Sequence, residues 1–188
     1  MQRYVNASNP PGPALQAFLG RVAGPVPGGT VIEVVSGPGR NADHLESRGL
    51  SVQRTDATAA FVDRLRADDH DVRPLDVRTD PLDVRTDPLG GPYDAVFAQA
   101  VLRHLSREQL AAFAGRALAA VRRGGVLAAV RLGGVLAATV KEEDGEAWTT
   151  DKLDAPRWFT YLLAPALRVV FEASGWSVIS LIHVRGRP

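Results

Sequence analysis

Apolar residues along this chain gather in short β-branched runs, separated by stretches with helical spacing. Val31, Ile32, Val34 and Val35 form the densest run, broken by one charge at Glu33. That pattern predicts a strand covered on both faces. Gly37, Pro38 and Gly39 end it in a turn tight enough to need glycine, and residues 40–49 predict a helix stopped by Gly49. Upstream, Leu15, Phe18, Leu19 and Val22 share one helix face, after a Pro-rich loop over 6–13 and before a turn over 25–29. Downstream, residues 50–54 predict a second strand ending at Thr55 and Asp56. Phe61, Val62 and Leu65 lie on one face of a helix over 58–68, and 71–77 read as a weak third strand, demoted by Pro74. Residues 93–98 predict a fourth strand. Ser106 and Gln109 fit a capping box opening a helix that carries Leu110, Phe113, Ala117, Leu118 and Val121. After a Gly-Gly turn comes a fifth strand rich in Val, Leu and Ala. Pro165 and Gly175 bracket a helix over 165–174, and 176–184 read as the last strand. The alternation predicts an α/β fold, a three-layer Rossmann-like sandwich on a mainly parallel sheet.

Two tandem duplications interrupt this order. LDVRTDP over 75–81 recurs unchanged over 82–88, and VRRGGVLAA over 121–129 recurs as VRLGGVLAA over 130–138. A solenoid needs at least three units of about 20–50 residues, so these are lengthened connections, which cost little free energy. The second duplication forces a choice of fifth strand. The downstream copy, 135–140, is expected to take that role, because residues 141–148 then emerge at the carboxyl end of the strand, where α/β sites lie. The upstream copy, 126–130, is then displaced as a loop or a lengthened helix end. The competing arrangements keep 126–130 as the strand, or fold the copies into a hairpin turning at 131–134.

At 188 residues, 45% apolar and 23% charged, the chain suits one soluble domain with a full core. The expected division over 1–188 is an N-terminal loop and helix (1–28), a ligand-binding core (29–140) and a second segment with the last helix and strand (141–188). The formal net charge of +1, with acids and bases interspersed, offers no basic field for nucleic acid. Cysteine is absent, which excludes disulfides and thiolate chemistry. No signal peptide is expected at the N-terminus, and the most apolar run, 126–140, is interrupted by Arg131 and glycine. A bilayer span needs about 20 apolar residues. The expected location is the cytoplasm, with no nucleic-acid or membrane partner, and the oligomeric state is left open.

Strand, glycine turn and helix form a cradle for a nucleotide-like ligand, because backbone N–H groups face the crevice. Gly37 and Gly39 lack Cβ, so backbone can approach a ligand closely. Asp56 ends the second strand, where a carboxylate accepts from both ribose hydroxyls; its structural alternative is a turn or helix N-terminal acid. Gly37-x-Gly39-x-x-Ala42 with Asp56 also fits a dinucleotide pattern, which leaves an NAD(P)-dependent oxidoreductase as one alternative. The acid inside the strand and the lack of a Tyr-x-x-x-Lys pair argue against it.

Taken in order, VIEVVSGPGR (31–40), Asp56, PYDAVFA (92–98) and VRRGGVLA (121–128) resemble the motifs of class I S-adenosylmethionine-dependent methyltransferases. KEEDGEAW (141–148) and RWFTY (157–161) are similar to small bacterial members. The resemblance covers about residues 29–184. It implies a sheet of order 3-2-1-4-5-7-6, S-adenosyl-L-methionine over the carboxyl ends of the first and fourth strands, and methyl transfer to a small-molecule acceptor. It implies cofactor-binding roles for Glu33, Ser36, Gly37, Gly39, Asp56, Ala57, Asp76, Val77 and Ala98. Asp76 matches the position that contacts the adenine amino group, and its repeat Asp83 competes. Glu33 matches the acid of the first strand, fixing nearby N–H groups or approaching the sulfonium, since a buried acid needs such partners.

On the acceptor side, Lys141, Glu142, Trp158 and Tyr161, with Phe159, are expected to line a pocket; the alternatives are a solvated loop for the charges and the core for the aromatics. Transfer from a sulfonium is an in-line displacement that needs positioning more than acid or base, unless the acceptor must lose a proton. His104 is the candidate base, with positioning or packing as its alternative. His44, His70 and His183 are scattered and predict no metal site. The family has glycine where this chain has Val35, so a β-branched side chain is expected to crowd the ligand or shift the turn. The family also continues into a final antiparallel strand expected to be missing here, which leaves 176–184 short of a neighbour. With the duplications, these departures make a degenerate, inactive cofactor-binding fold the second expectation.

Overall fold

The computed structural model describes residues 12–78, 80, 92–121, 125–127, 130–132, 134–150 and 156–182. Helix α1 (Pro13–Ala23) leads into β1 (Thr30–Glu33), α2 (Arg40–Glu46), β2 (Ser51–Asp56), α3 (Ala59–Ala67) and β3 (Val72–Pro74). Then follow β4 (Ala95–Ala98), one 3-10 turn (Leu102–His104) and α4 (Arg107–Ala120). The remaining elements are β5 (Gly125–Leu127), β6 (Val130–Leu132), β7 (Val135–Ala138), β8 (Gly145–Thr149), β9 (Arg157–Tyr161) and α5 (Ala164–Ala173).

Five strands pair in parallel in the order β3-β2-β1-β4-β7, the first five places of the expected methyltransferase order. Val31 stands between Val52 and Ala95, so the run that reads as the buried strand occupies the centre. Strand alternation sends its side chains to two cores. Val31, Ala95 and Phe97 meet Leu19 and Val22 of α1 and Ala42 and Leu45 of α2. Ile32, Val34, Val96 and Ala98 meet Leu110, Phe113 and Ala117 of α4 and Phe171 of α5. Each fully buried aliphatic or aromatic side chain contributes about 1.5–3 kcal/mol, and the double covering explains why the central strands carry no polar face. Pro74 is accommodated because β3 is short and lies at the sheet edge. The capping box forms: Ser106 Oγ accepts from Gln109 N at 3.2 Å and Gln109 Oε1 accepts from Ser106 N at 2.9 Å.

The downstream copy of the second duplication is the fifth strand, β7, with Ala95 opposite Val135 and Ala98 opposite Ala138. The displaced residues are neither a loop nor a lengthened helix. β5 and β6 form a separate antiparallel pair, Val126 opposite Arg131. This pairing reverses the chain before Arg131, so 131–134 is not the hairpin turn. Gly134 returns against Val121, whose side chain would collide with any Cβ there. Asp83 and the rest of the second LDVRTDP copy lie outside the described residues.

The last strand is a correction. Among the described residues, 176–182 form no strand. The Trp176 indole instead donates to the Ala114 carbonyl at 2.9 Å, which holds the segment against α4. Without a ladder partner an apolar, strand-like sequence has nothing to pair its backbone. Residues 183 and 184 lie outside the described residues. An unanticipated element is the β8–β9 ribbon, with Ala147 opposite Phe159.

Candidate functional site

The carboxyl ends of β1 and β4 lie side by side, Glu33 level with Phe97. The chain leaves both through the left-handed region at non-glycine residues, Val35 at φ 61° and Ala100 at φ 57°. Such strain persists only where surrounding structure imposes it, and it concentrates at functional crevices. Val35 is the costlier of the two, being β-branched. Gly37 follows at φ 54°, and a Cβ there would meet nothing within 4 Å. The cradle is therefore open on its outer side. Asn41 Nδ2 donates to Gln99 Oε1 at 2.8 Å, tying the first turn of α2 to the segment after β4.

Beneath the turn, Asp56 is almost fully buried. Its Oδ2 accepts from Gly37 N at 2.9 Å and its Oδ1 from Thr58 N at 2.8 Å. One carboxylate thus pins the glycine turn and the approach to α3. Ser36 N donates to the Thr55 carbonyl at 2.7 Å, and Ser36 Oγ accepts from Thr55 N at 3.2 Å, stitching the turn to β2. Glu33 is buried, and neither carboxylate oxygen completes a hydrogen bond. Burial raises its pKa to about 7, with Ser36, Asn41 and Arg54 near enough to offset part of the effect. Burial alone would lower Arg54, but its contacts with Glu46 and Asp43, each at 2.7 Å, hold it above its ordinary value.

The structure therefore brings Glu33, Ser36, Gly37, Gly39 and Asp56 together around one turn. Ala57 is exposed beside it and Ala98 is buried at the end of β4. Asp76 sits apart. Its carboxylate binds Arg78 Nε at 2.9 Å, and that bond lowers its pKa. An adenine amino group at this carboxylate would share it with Arg78. Val77 is buried, its carbonyl accepting from Arg116 at 2.6 Å.

On the other side of the crevice, His104 closes the 3-10 turn after β4. Its Nδ1 lies 3.1 Å from the Trp158 carbonyl. A carbonyl only accepts, so Nδ1 carries the proton and the Nε2 lone pair is left unprotonated in the neutral ring. Burial lowers the His104 pKa, and the charges of Arg103 and Arg157 add to the effect against the Trp158 hydrogen bond. The alternation of β9 places Arg157, Phe159 and Tyr161 on the face toward His104. The His104 and Phe159 rings meet edge-on at 4.6 Å, and Arg103 and Arg157 lie over Phe159 at 5.5 and 5.4 Å. Lys141 lies over Tyr161 at 4.8 Å and pairs with Glu143 at 2.6 Å.

Of the expected pocket residues, Lys141 and Tyr161 thus join His104. Glu142 is exposed, and the Trp158 ring packs on the other ribbon face against Trp148. Arg103, Arg157, Asn41, Gln99 and Ala100 escaped the sequence reading; the alternation of RWFTY was the one available signal for Arg157. Among the described residues there is no group of side chains able to hold a metal ion, and no helix is long and apolar enough to cross a membrane.

A family model described as a methyltransferase domain matches residues 31–125, just over half of the chain. The chain belongs to this methyltransferase-domain family, whose cofactor is S-adenosylmethionine. Among solved structures, it is similar to the 1,6-didemethyltoxoflavin-N1-methyltransferase of Burkholderia thailandensis, which was determined with S-adenosylhomocysteine. Identity there is 18% and the TM-score 0.57, over 86% of this chain and 65% of that one. The CcbJ methyltransferase of Streptomyces caelestis matches at 18% identity and TM-score 0.62, over 89% and 80% of the two chains. The [4+2]-cyclase SpnF matches at 18% identity and TM-score 0.63, over 89% and 57%. The chain therefore spans less than two thirds of the first and third of these relatives. No curated protein sequence matches it. The residues present fit the cofactor: Gly37 opens onto free space, and the Glu33 oxygens beside it have no hydrogen-bond partner.

Proposed function

We propose that this protein transfers a methyl group from S-adenosylmethionine to a small-molecule acceptor. The observation that carries the reading is the glycine turn at the junction of β1 and β4, open above Gly37 and pinned below by Asp56. Glu33, the turn over 36–39, Asp56 and Ala98 would hold the cofactor, which supplies an electrophilic methyl on a sulfonium. His104 takes the proton of the acceptor at Nε2, because its Nδ1–H is committed to Trp158 and its depressed pKa keeps the ring neutral near pH 7. Val35 favours a second reading, cofactor binding without methyl transfer, because an exposed β-branched residue held at φ 61° precedes Gly37 by two positions, where the family has glycine.

Calorimetric titration with S-adenosylhomocysteine tests the first step. Saturating ligand at about 100 times Kd stabilises by about 2.7 kcal/mol, a rise of roughly 5–10 °C in a domain of this size. Asp56→Asn keeps an acceptor for one backbone N–H and is expected to weaken binding. No binding by folded protein, or unchanged binding in Asp56→Asn, sinks the assignment. Binding of S-adenosylmethionine without turnover of any acceptor supports the second reading.

A further inference from the structure

We infer that the cofactor is taken up with release of a proton from Glu33, so that the crevice holds it tightly only where that carboxyl can ionise; this rests on the methyl-transfer reading. Glu33 is the last residue of β1, three positions before the turn over 36–39. It is 1% exposed, and neither carboxylate oxygen completes a hydrogen bond. The charged groups facing it are Arg54 on β2 and Asp43 on α2. Arg54 stands opposite Glu33 in the β1–β2 ladder, yet its terminal nitrogens go to Glu46 and Asp43, each at 2.7 Å, and its Nε has no partner. Asp43 is a like charge. β4 presents Phe97 at the same level, and α1 covers that side of the sheet with Leu19 and Val22. The uncharged polar side chains nearby are engaged elsewhere: Ser36 Oγ accepts from Thr55 N at 3.2 Å, and Asn41 Nδ2 donates to Gln99 Oε1 at 2.8 Å.

A buried carboxylate without a donor is far costlier than the neutral acid. Without cofactor, Glu33 therefore keeps its proton well above the ordinary carboxylate range, in keeping with a pKa raised to about 7 by burial. S-adenosylmethionine is a cation at its sulfonium and at its amino group. Positive charge brought to the turn acts on Glu33 across a water-poor interior, where charges couple more strongly than in water, and it favours the ionised carboxylate. The second N–H of Asn41 and the Ser36 hydroxyl are donors that can turn to Glu33 once it ionises. Glu33 is then neutral in the free protein and charged in the complex. Binding releases a proton, tightens as pH rises, and levels off above the free-state pKa.

The probe is S-adenosylmethionine, titrated calorimetrically into the full chain without acceptor, at about pH 6 and about pH 8, in two buffers of different ionisation enthalpy. With a free-state pKa of about 7, we expect about 0.9 proton released per cofactor at the lower pH and about 0.1 at the higher, with affinity rising about tenfold between them. Glu33→Gln is expected to release none and to hold its affinity within about twofold over the same range. That variant keeps His104, so a proton taken from the imidazole persists in it. Wild-type affinity that changes less than about twofold, or a proton count retained in Glu33→Gln, overturns the inference. Should Glu33→Gln fail to fold, infrared difference spectra of the wild type decide it: the carboxylic-acid carbonyl band at the lower pH is expected to vanish on binding, and an unchanged band overturns the inference. Absence of binding at both pH values counts against the cofactor reading, whereas binding without proton release counts against this inference alone.

Discussion

Val35 offers a test in which backbone strain reverses an ordinary rule. Gly is usually less stable than Ala in folded structure by about 0.5–1 kcal/mol, because it loses more conformational freedom. At φ 61° the left-handed conformation costs an L-residue with a Cβ about 1–2 kcal/mol. The strain exceeds the entropy term, so Val35→Gly should be more stable than Val35→Ala by about 0.5–1 kcal/mol. At about 2–4 °C per kcal/mol for a domain of this size, the gap is roughly 1–4 °C. Against the wild type, Val35→Gly gives up the buried part of a side chain that is 37% exposed, a loss of about 1 kcal/mol. Relief of the β-branched strain offsets much of it, so Val35→Gly should lie within about 1 kcal/mol of the wild type. Urea unfolding of the three proteins at one pH measures these differences. Because Val35 is exposed and precedes Gly37 by only two residues, Val35→Gly should also bind S-adenosylhomocysteine more tightly than the wild type. A Val35→Ala protein as stable as Val35→Gly, with equal affinities throughout, would falsify both the strain and the crowding.

Glu33→Gln should change how stability depends on pH. The folded pKa of Glu33, about 7, exceeds its ordinary value, so the folded state binds more protons than the unfolded one between about 4.5 and 7. Wild-type stability therefore falls as pH rises through that window, by up to about 3 kcal/mol. Urea midpoints at pH 5 and 8 should show Glu33→Gln gaining on the wild type at pH 8, and parallel behaviour at both values refutes the buried charge. Deleting residues 122–130 leaves one copy of the second duplication and keeps both Val121 and β7. Since halving a loop changes its closure cost by only about 0.6 kcal/mol, melting followed by circular dichroism should remain cooperative and shift by no more than a few degrees. Loss of cooperative unfolding would show that the β5–β6 hairpin is integral to the fold.

Local signals in the sequence determined the order of strands and helices from α1 to α4, the glycine turn, the capping box and the candidate residues clustered around 33–56. These rest on periodicity, β-branching and chain neighbours a few residues apart, which physics reads without knowing the fold. Class and cofactor were legible for the same reason, since the turn and Asp56 are fixed in spacing by one strand–helix–strand unit. Only the tertiary structure decided the rest. The two VR-x-GGVLAA copies are nearly identical, so which became β7 turned on the partner strand β4 and on the approach of Gly134 to Val121. The segment after α5 reads as a strand, yet Trp176 finds the Ala114 carbonyl, because strand formation needs an edge to pair with and not sequence alone. The base-competent tautomer of His104 and the paired guanidiniums over Phe159 depend on contacts between β9 and the turn after β4, residues more than fifty positions apart along the chain. No local pattern encodes a proximity that only the folding of the ribbon onto that turn creates.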